Sequence, residues 1–232
     1  TILASGMRMI LEDPNSHDKI LEYSKPIEQV YDRIQSPSST ICQTEVGRHL
    51  RPRGDNITED DEFAYCVRNA LRRKPTKISI GEARDRATIA ASIEAARTGH
   101  GLYTTMHSIG VAETTNRVIL PFPSADRGSI GVDLMDSLNM IVTQLLLPRA
   151  GGGRVAAREY LVFDATIRRT LIDTPMERWA ATLREIMQSE YAAGQTMLQA
   201  ATRLRDAGEI DDHTFHWVSA RSRESQVAGA KS

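Results

Sequence analysis

The chain has 232 residues, enough for one large domain or for one domain with a smaller appendage. Its 29 basic and 30 acidic side chains leave a formal net charge of −1, which gives no global attraction to nucleic acid or to an anionic membrane surface. No apolar run reaches the roughly 20 residues that a membrane-spanning helix needs; the two cysteines, Cys42 and Cys66, fit no metal spacing and read as reduced thiols of a cytoplasmic protein.

In chain order, Leu3, Met7, Ile10 and Leu11 recur at helical spacing over 1–12, and Asp13-Pro14-Asn15-Ser16 is a stop and turn. Residues 19–23 read as a short strand, Pro26 opens a turn or loop that contains Glu28, and 40–46 read as a second strand. A polar loop over 47–61, with Pro52, Gly54 and the acidic run 59–62, leads into a helix whose apolar stripe is Phe63, Cys66, Val67, Ala70 and Leu71. Pro75 ends that helix, and Ile78-Ser79-Ile80 is a buried strand. Asp85 is placed to cap a helix running through Arg97, with Gly99 as its stop. A strand over 102–106 follows, then helices over 111–120 and 127–139 around Pro121-Phe122-Pro123. Segments 141–147 and 155–163, joined by a run ending in Gly151-Gly152-Gly153, predict an antiparallel hairpin. From Asp164 onward the pattern is helical at 164–172, 176–189, 195–207 and 211–221, and 222–232 is expected to fray. Strands alternating with helices before the hairpin predict a largely parallel α/β sheet, and the end of the chain a helical appendage.

In open parallel sheets, ligands sit outside the carboxyl ends of the strands. Glu82 falls just after the 77–81 strand. A carboxylate there can orient or deprotonate a water attacking a γ-phosphate, or it can cap the next helix or pair with Arg84. His107 lies at the carboxyl end of the 102–106 strand and neighbours Glu82 if the two strands are adjacent. His100, seven residues earlier, is roughly 23 Å away along an extended strand, so both histidines cannot touch one phosphate. His100 is therefore structural or faces a neighbouring subunit. Arg68, Arg72, Arg73 and Lys74 form a basic cluster, read as a solvated helix face, as a phosphate contact offered to the next protomer of a ring, or as a nucleic-acid contact, which no aromatic interleaving supports. Glu22 and Glu28 flank the end of the 19–23 strand, and acids there can join a Mg²⁺–water network.

Taken together these segments resemble the secretion ATPase superfamily, which powers type II and type IV secretion and type IV pili. Pro26-Ile27-Glu28 resembles the end of the family's aspartate box, E-D-P-I-E, but Ser24 and Lys25 stand before the proline and the usual acidic pair is displaced or lost. Ile80-Gly81-Glu82-Ala83-Arg84-Asp85 resembles the Walker B region, with glycine in place of the usual aspartate. Thr98-Gly99-His100 through Thr105-Met106-His107 resembles the histidine box. Gln144 to Arg149, Ala165 to Arg168 and Gly194 to Met197 resemble the later family elements. Gln43-Thr44-Glu45-Val46 and Val67 to Pro75 are most similar to the DotB/TraJ branch of type IVB secretion and conjugation ATPases.

The resemblance implies an α/β, RecA-like P-loop ATPase core over 1–163 and a C-terminal helical subdomain over 164–232. It implies a cytoplasmic homo-hexamer, recruited peripherally to inner-membrane parts of a secretion or conjugation apparatus, with ATP and Mg²⁺ as cofactors; the neutral charge and the histidine-box match disfavour a nucleic-acid motor of the same RecA-like class. Glu82, His107 and Glu28 would be catalytic, Glu28 also reaching Mg²⁺ through water; Thr1, Arg68, Arg72, Arg84 and His100 would contact nucleotide. No G-x-x-x-x-G-K-[ST] loop occurs in the sequence. Thr1-Ile2-Leu3-Ala4 resembles the residues that follow that loop, so the chain is expected to be the later part of a longer protein, lacking its first strand and phosphate loop and inactive alone. A pilus-retraction or assembly ATPase is the alternative within the class, and a non-catalytic docking subunit or fragment the alternative outside it.

Overall fold

A computed structural model of the chain describes residues 2–50, 61–189 and 191–228. The chain divides into two compact units, Thr1–His107 and Ser108–Ser232. The first holds α1 (Ile2–Glu12), β1 (Lys19–Ser24), β2 (Thr40–Glu45), α2 (Asp61–Leu71), β3 (Lys77–Ile80), α3 (Arg86–Arg97) and β4 (Gly101–Thr104). The four strands form one parallel sheet in the order β2-β1-β3-β4. Side chains alternate across a strand, so each face collects its own core. Leu21, Tyr23, Ile78 and Ile80 pack with Phe63, Val67 and Ala70 of α2 and Ala91 and Ala95 of α3. Ile20 and Ile41 face the other way, toward Met7 and Leu11 of α1, with Tyr31 filling the same cluster. Continuing that alternation toward the carboxyl ends, the α1 face turns polar at Glu22, Gln43 and Ser24.

The amino edge of this sheet is closed by its own side chains. Lys77 Nζ lies 2.6 Å from Asp18 Oδ1, Lys19 Nζ donates to the Arg73 carbonyl at 2.6 Å, and the Lys19 amide donates to Thr76 Oγ1 at 2.9 Å.

The second unit holds α4 (Val111–Ile119), α5 (Arg127–Ser137), β5 (Met140–Pro148), β6 (Arg154–Val162), α6 (Ala165–Ile172), a 3-10 turn over Met176–Arg178, α7 (Trp179–Gln188), β7 (Gly194–Gln195), α8 (Met197–Asp206) and α9 (Asp212–Ala228). β5 and β6 form the expected antiparallel hairpin, and β7 adds a third strand. The tip residues Gly151, Gly152 and Gly153 all have positive φ, of 87°, 107° and 81°, a conformation that side chains resist. Leu147 and Ala157 of the hairpin pack against Ala200 and Ala201 of α8 and Val218 of α9. α8 starts in a full capping box, Thr196 with Gln199.

Several element ends shift by a residue or two from expectation, and three differences are of note. β4 ends at Thr104 rather than 106. α9 runs to Ala228, through residues expected to fray, because nothing between Ser222 and Ala228 breaks a helix before Gly229. β7 occupies residues expected to open a helix; a Cβ on Gly194 would stand 2.8 Å from the Tyr160 carbonyl, so only glycine allows this pairing. Within the second unit the hairpin shares a core with α8 and α9. Pro52, Gly54, Glu59, Asp60 and residues 229–232 lie outside the described residues.

Burial alone would raise the Asp18 carboxyl, but hydrogen bonds from Lys77 and Ser16 outweigh it and hold the group at about 2, below its ordinary 3.8. A carboxylate held lower in the folded state stabilises the fold fully above its unfolded value, and that contribution disappears as pH falls through the folded one. Acid titration followed by circular dichroism is expected to show stability falling between about pH 4 and pH 2. Asp18→Asn is expected to lower stability at neutral pH and to flatten that acid limb.

Candidate functional site

β3 ends at Ile80, and Gly81 carries the chain close against β1. The Gly81 amide donates to the Tyr23 carbonyl at 2.8 Å, and a Cβ there would stand 3.3 Å from the Ser24 Cα and 3.4 Å from that carbonyl. Beyond it the Ala83 amide donates to the Thr105 carbonyl at 3.0 Å, and the Thr105 hydroxyl donates back to the Gly81 carbonyl. Pairing between β3 and β4 thus runs on past both strand ends. It brings the two expected partners together: His107 Nε2 is 3.5 Å from Glu82 Oε1. Glu82 is one-third exposed (33%) and His107 almost fully so (86%), which places both at the solvent edge of the sheet.

The two bland roles open to Glu82 are filled or empty. Asp85, not Glu82, caps α3: its Oδ1 accepts the Thr88 amide at 2.7 Å and its Oδ2 the Thr88 hydroxyl at 2.7 Å. Arg84 is exposed, and no ion pair joins it to Glu82 among the described residues. Glu28 is exposed in the irregular segment after β1. Thr1 lies outside the described residues.

Other expected site residues sit at the opposite edge of the same sheet. His100 stands at the amino end of β4, where its Nδ1 lies 3.1 Å from Thr98 Oγ1 and 3.3 Å from the Ala95 carbonyl, closing the last turn of α3. Arg68 and Arg72 are exposed near the C-terminal end of α2, which leads to the amino end of β3. Arg73, exposed as well, is held by neighbours, with one guanidinium nitrogen 3.4 Å from the Tyr23 hydroxyl and the other 3.4 Å from Cys42 Sγ. Burial pushes the Cys66 thiol up to about 12, as an inert core residue.

Two further polar residues of the carboxyl edge, Lys25 and Glu22, are bonded to their neighbours. Lys25 Nζ donates to Glu62 Oε2 at 2.8 Å. Glu22 is 8% exposed and accepts hydrogen bonds from Ser24 Oγ at 2.9 Å and Gln43 Nε2 at 3.2 Å. Burial pushes its carboxyl up, and these two bonds pull against that shift. The sequence singles out Glu22 as an acid at the strand end; its burial follows from the strand period, since position 22 shares a face with Ile20.

A cavity of about 700 Å³ lies within the second unit, lined in part by Glu113, Thr143, Glu159, Arg184 and Met197. Its carboxylates are already engaged. Glu159 accepts the Val111 amide at 2.7 Å and the Met197 amide at 3.1 Å, capping α4 and α8 together, and Glu113 pairs with Arg184 at 2.5 Å. The carboxyl edge of the parallel sheet, with less committed groups, is the better place for reaction chemistry. No group of three or more His, Cys, Asp or Glu side chains that could hold a metal occurs among the described residues. Mg²⁺ is usually held by one or two carboxylates together with water and substrate phosphate, and the partly exposed Glu82 and exposed Glu28 are carboxylates of that kind.

The parallel sheet, with its acid and histidine on the carboxyl edge, has the fold of the RecA-like P-loop ATPases. A family model described as type II/IV secretion system protein matches residues 15–158, and the chain belongs to that family. The ATPase DotB of Legionella pneumophila superposes with a TM-score of 0.86 at 38% identity, over 94% of this chain and 56% of that one. The pilus retraction motor PilT with bound ADP gives 0.78 at 30% identity, over 94% and 57%. A twitching motility protein of Neisseria gonorrhoeae is 32% identical over 212 residues, 90% of this chain and 52% of that one. The chain spans about half the length of the curated relatives it matches. No helix among the described residues is long and apolar enough to cross a membrane.

Removing an N-cap side chain costs about 1 kcal/mol, whereas a surface change away from such features stays within about 0.5 kcal/mol. Urea denaturation is expected to show Asp85→Ala destabilised by about 1 kcal/mol and Glu82→Gln unchanged within about 0.5 kcal/mol.

Proposed function

We propose that this chain carries the hydrolytic edge of a ring-forming ATPase that drives type IVB or conjugative secretion. The observation that carries the reading is the approach of His107 to Glu82 beyond the carboxyl ends of β3 and β4. Glu82 orients or deprotonates the water that attacks the γ-phosphate, and His107 beside it contacts that phosphate. Glu28 joins the water shell of Mg²⁺. Bound ATP–Mg²⁺ supplies the transferable phosphoryl group and neutralises its developing charge.

The position of Arg68, Arg72 and His100 at the amino edge, away from Glu82 of the same chain, supports a second role. In a homo-hexamer these groups serve a nucleotide held by the next subunit, as the family resemblance implies, while Arg84 serves its own. The ring works in the cytoplasm against inner-membrane parts of the secretion apparatus. Higher identity to DotB than to PilT supports the secretion branch over pilus retraction. The twitching motility relative favours retraction as the second reading. A deletion strain that loses effector or plasmid transfer supports the first; one that loses only twitching supports the second.

The phosphate loop is not among these 232 residues, so turnover is proposed for the full-length gene product. In that protein Glu82→Gln is expected to lower ATP turnover by roughly 10²–10⁴-fold while ATP binding persists. His107→Ala is expected to slow turnover more than His100→Ala. Full turnover in Glu82→Gln would refute the catalytic assignment, and equal losses in the two histidine variants would undo their ranking.

A further inference from the structure

Ser24 and Lys25 stand where the aspartate-box pattern has its acidic pair, and Lys25 is committed to Glu62. We propose that Glu22 stands in for that pair as a positioning residue, holding the segment that carries Glu28 against β1 and β2. The inference rests on the reading of Glu28 given above.

Glu22 and Ser24 share one face of β1, and the Ser24 hydroxyl donates to Glu22 Oε1. On β2 the register partner of Glu22 is Gln43. Gln43 Nε2 donates both to Glu22 Oε2 at 3.2 Å and to the Gln29 carbonyl at 2.7 Å, and its Oε1 accepts the Tyr31 amide at 3.2 Å. One side-chain amide thereby ties β1 and β2 to residues 29–31, the stretch directly after Glu28. Its two backbone partners fix which end donates, so position 22 must supply an acceptor. Tyr31 anchors the same stretch from below, 5% exposed in the cluster with Met7, Leu11 and Ile20. Among the described residues no cation pairs with Glu22. A buried carboxylate held only by neutral donors is costly to keep, and it persists here at the point where the loop must be aimed.

The test compares Glu22→Ala and Glu22→Gln in the full-length gene product, with amide hydrogen exchange over 25–34 and ATP turnover as separate readouts. Glu22→Ala removes the acceptor. It is expected to speed exchange at the Tyr31 amide and to lower kcat, each roughly tenfold, with KM for ATP within about twofold. Glu22→Gln keeps an acceptor toward Gln43 and is expected to restore both. Gln43→Leu cuts the same tie from β2 and should reproduce the alanine result if Glu22→Ala does not fold. Unchanged exchange over 25–34 in both Glu22→Ala and Gln43→Leu overturns the inference. So does a Glu22→Gln variant with normal exchange but lost turnover, which would mean that the charge itself is needed. Glu28→Gln is measured alongside. If it keeps full turnover while Glu22→Ala loosens the segment, the reading of Glu28 fails and the tie made by Glu22 stands.

Discussion

A parallel sheet must find partners for the backbone groups that emerge beyond its last paired residues, because a buried amide or carbonyl left alone costs about 1–3 kcal/mol. In the first unit three such bonds do this work: Gly81 N–H to the Tyr23 carbonyl, Val46 N–H to the Ser24 carbonyl, and Ala83 N–H to the Thr105 carbonyl. They tie the exits of β1, β2, β3 and β4 to one another before the chain leaves for α3, α4 or the loops. The closeness of Glu82 and His107, and the departure of the Glu28 segment from beside Ser24, both follow from this shared boundary. Gly81 is the narrowest point in it, since any side chain there meets the backbone of β1.

The two edges of the same sheet are built for different ends. At the amino edge Lys77 and Asp18, Lys19 and the Arg73 carbonyl, and His100 with Thr98 satisfy one another. At the carboxyl edge Glu82, Arg84, Glu28 and His107 remain partly or fully exposed. Groups such as Asp18, already satisfied by neighbours, have little left to offer a substrate, whereas those held at the surface have much; at the amino edge these are Arg68, Arg72 and the His100 Nε2 that no neighbour engages among the described residues.

Much of this was legible in the order of residues. The helical stripe from Phe63 to Leu71, the cap at Asp85, the stop at Gly99 and the triple glycine between β5 and β6 each depend on residues within a few positions of one another. The type II/IV secretion family was legible too, from the order and spacing of its segments. What could not be read depends on distance along the chain. Gln43 is 21 residues from Glu22, and Val111 is 48 from Glu159, so neither carboxylate reveals its partners by spacing. Arg73 looked like one of four equivalent cations until Tyr23 and Cys42 gave it a direction. β7 needed β6 beside it, with Leu161 opposite Gly194 and Tyr160 opposite Gln195, which no local pattern of residues 194–195 announces.

The tip of the β5–β6 hairpin carries a mechanical consequence. Three successive glycines in left-handed conformations have no side chains with which to set a direction. The tip takes its direction from the corner between α8 and α9, where the Ala150 amide donates to the Glu209 carbonyl at 2.8 Å and Arg149 meets the Glu209 carboxylate at 2.6 Å. A half-exposed ion pair of this kind contributes at most about 1 kcal/mol. Tension applied along α9 would therefore free the tip of the hairpin before the core that Leu147 and Ala157 share with Val218 yields.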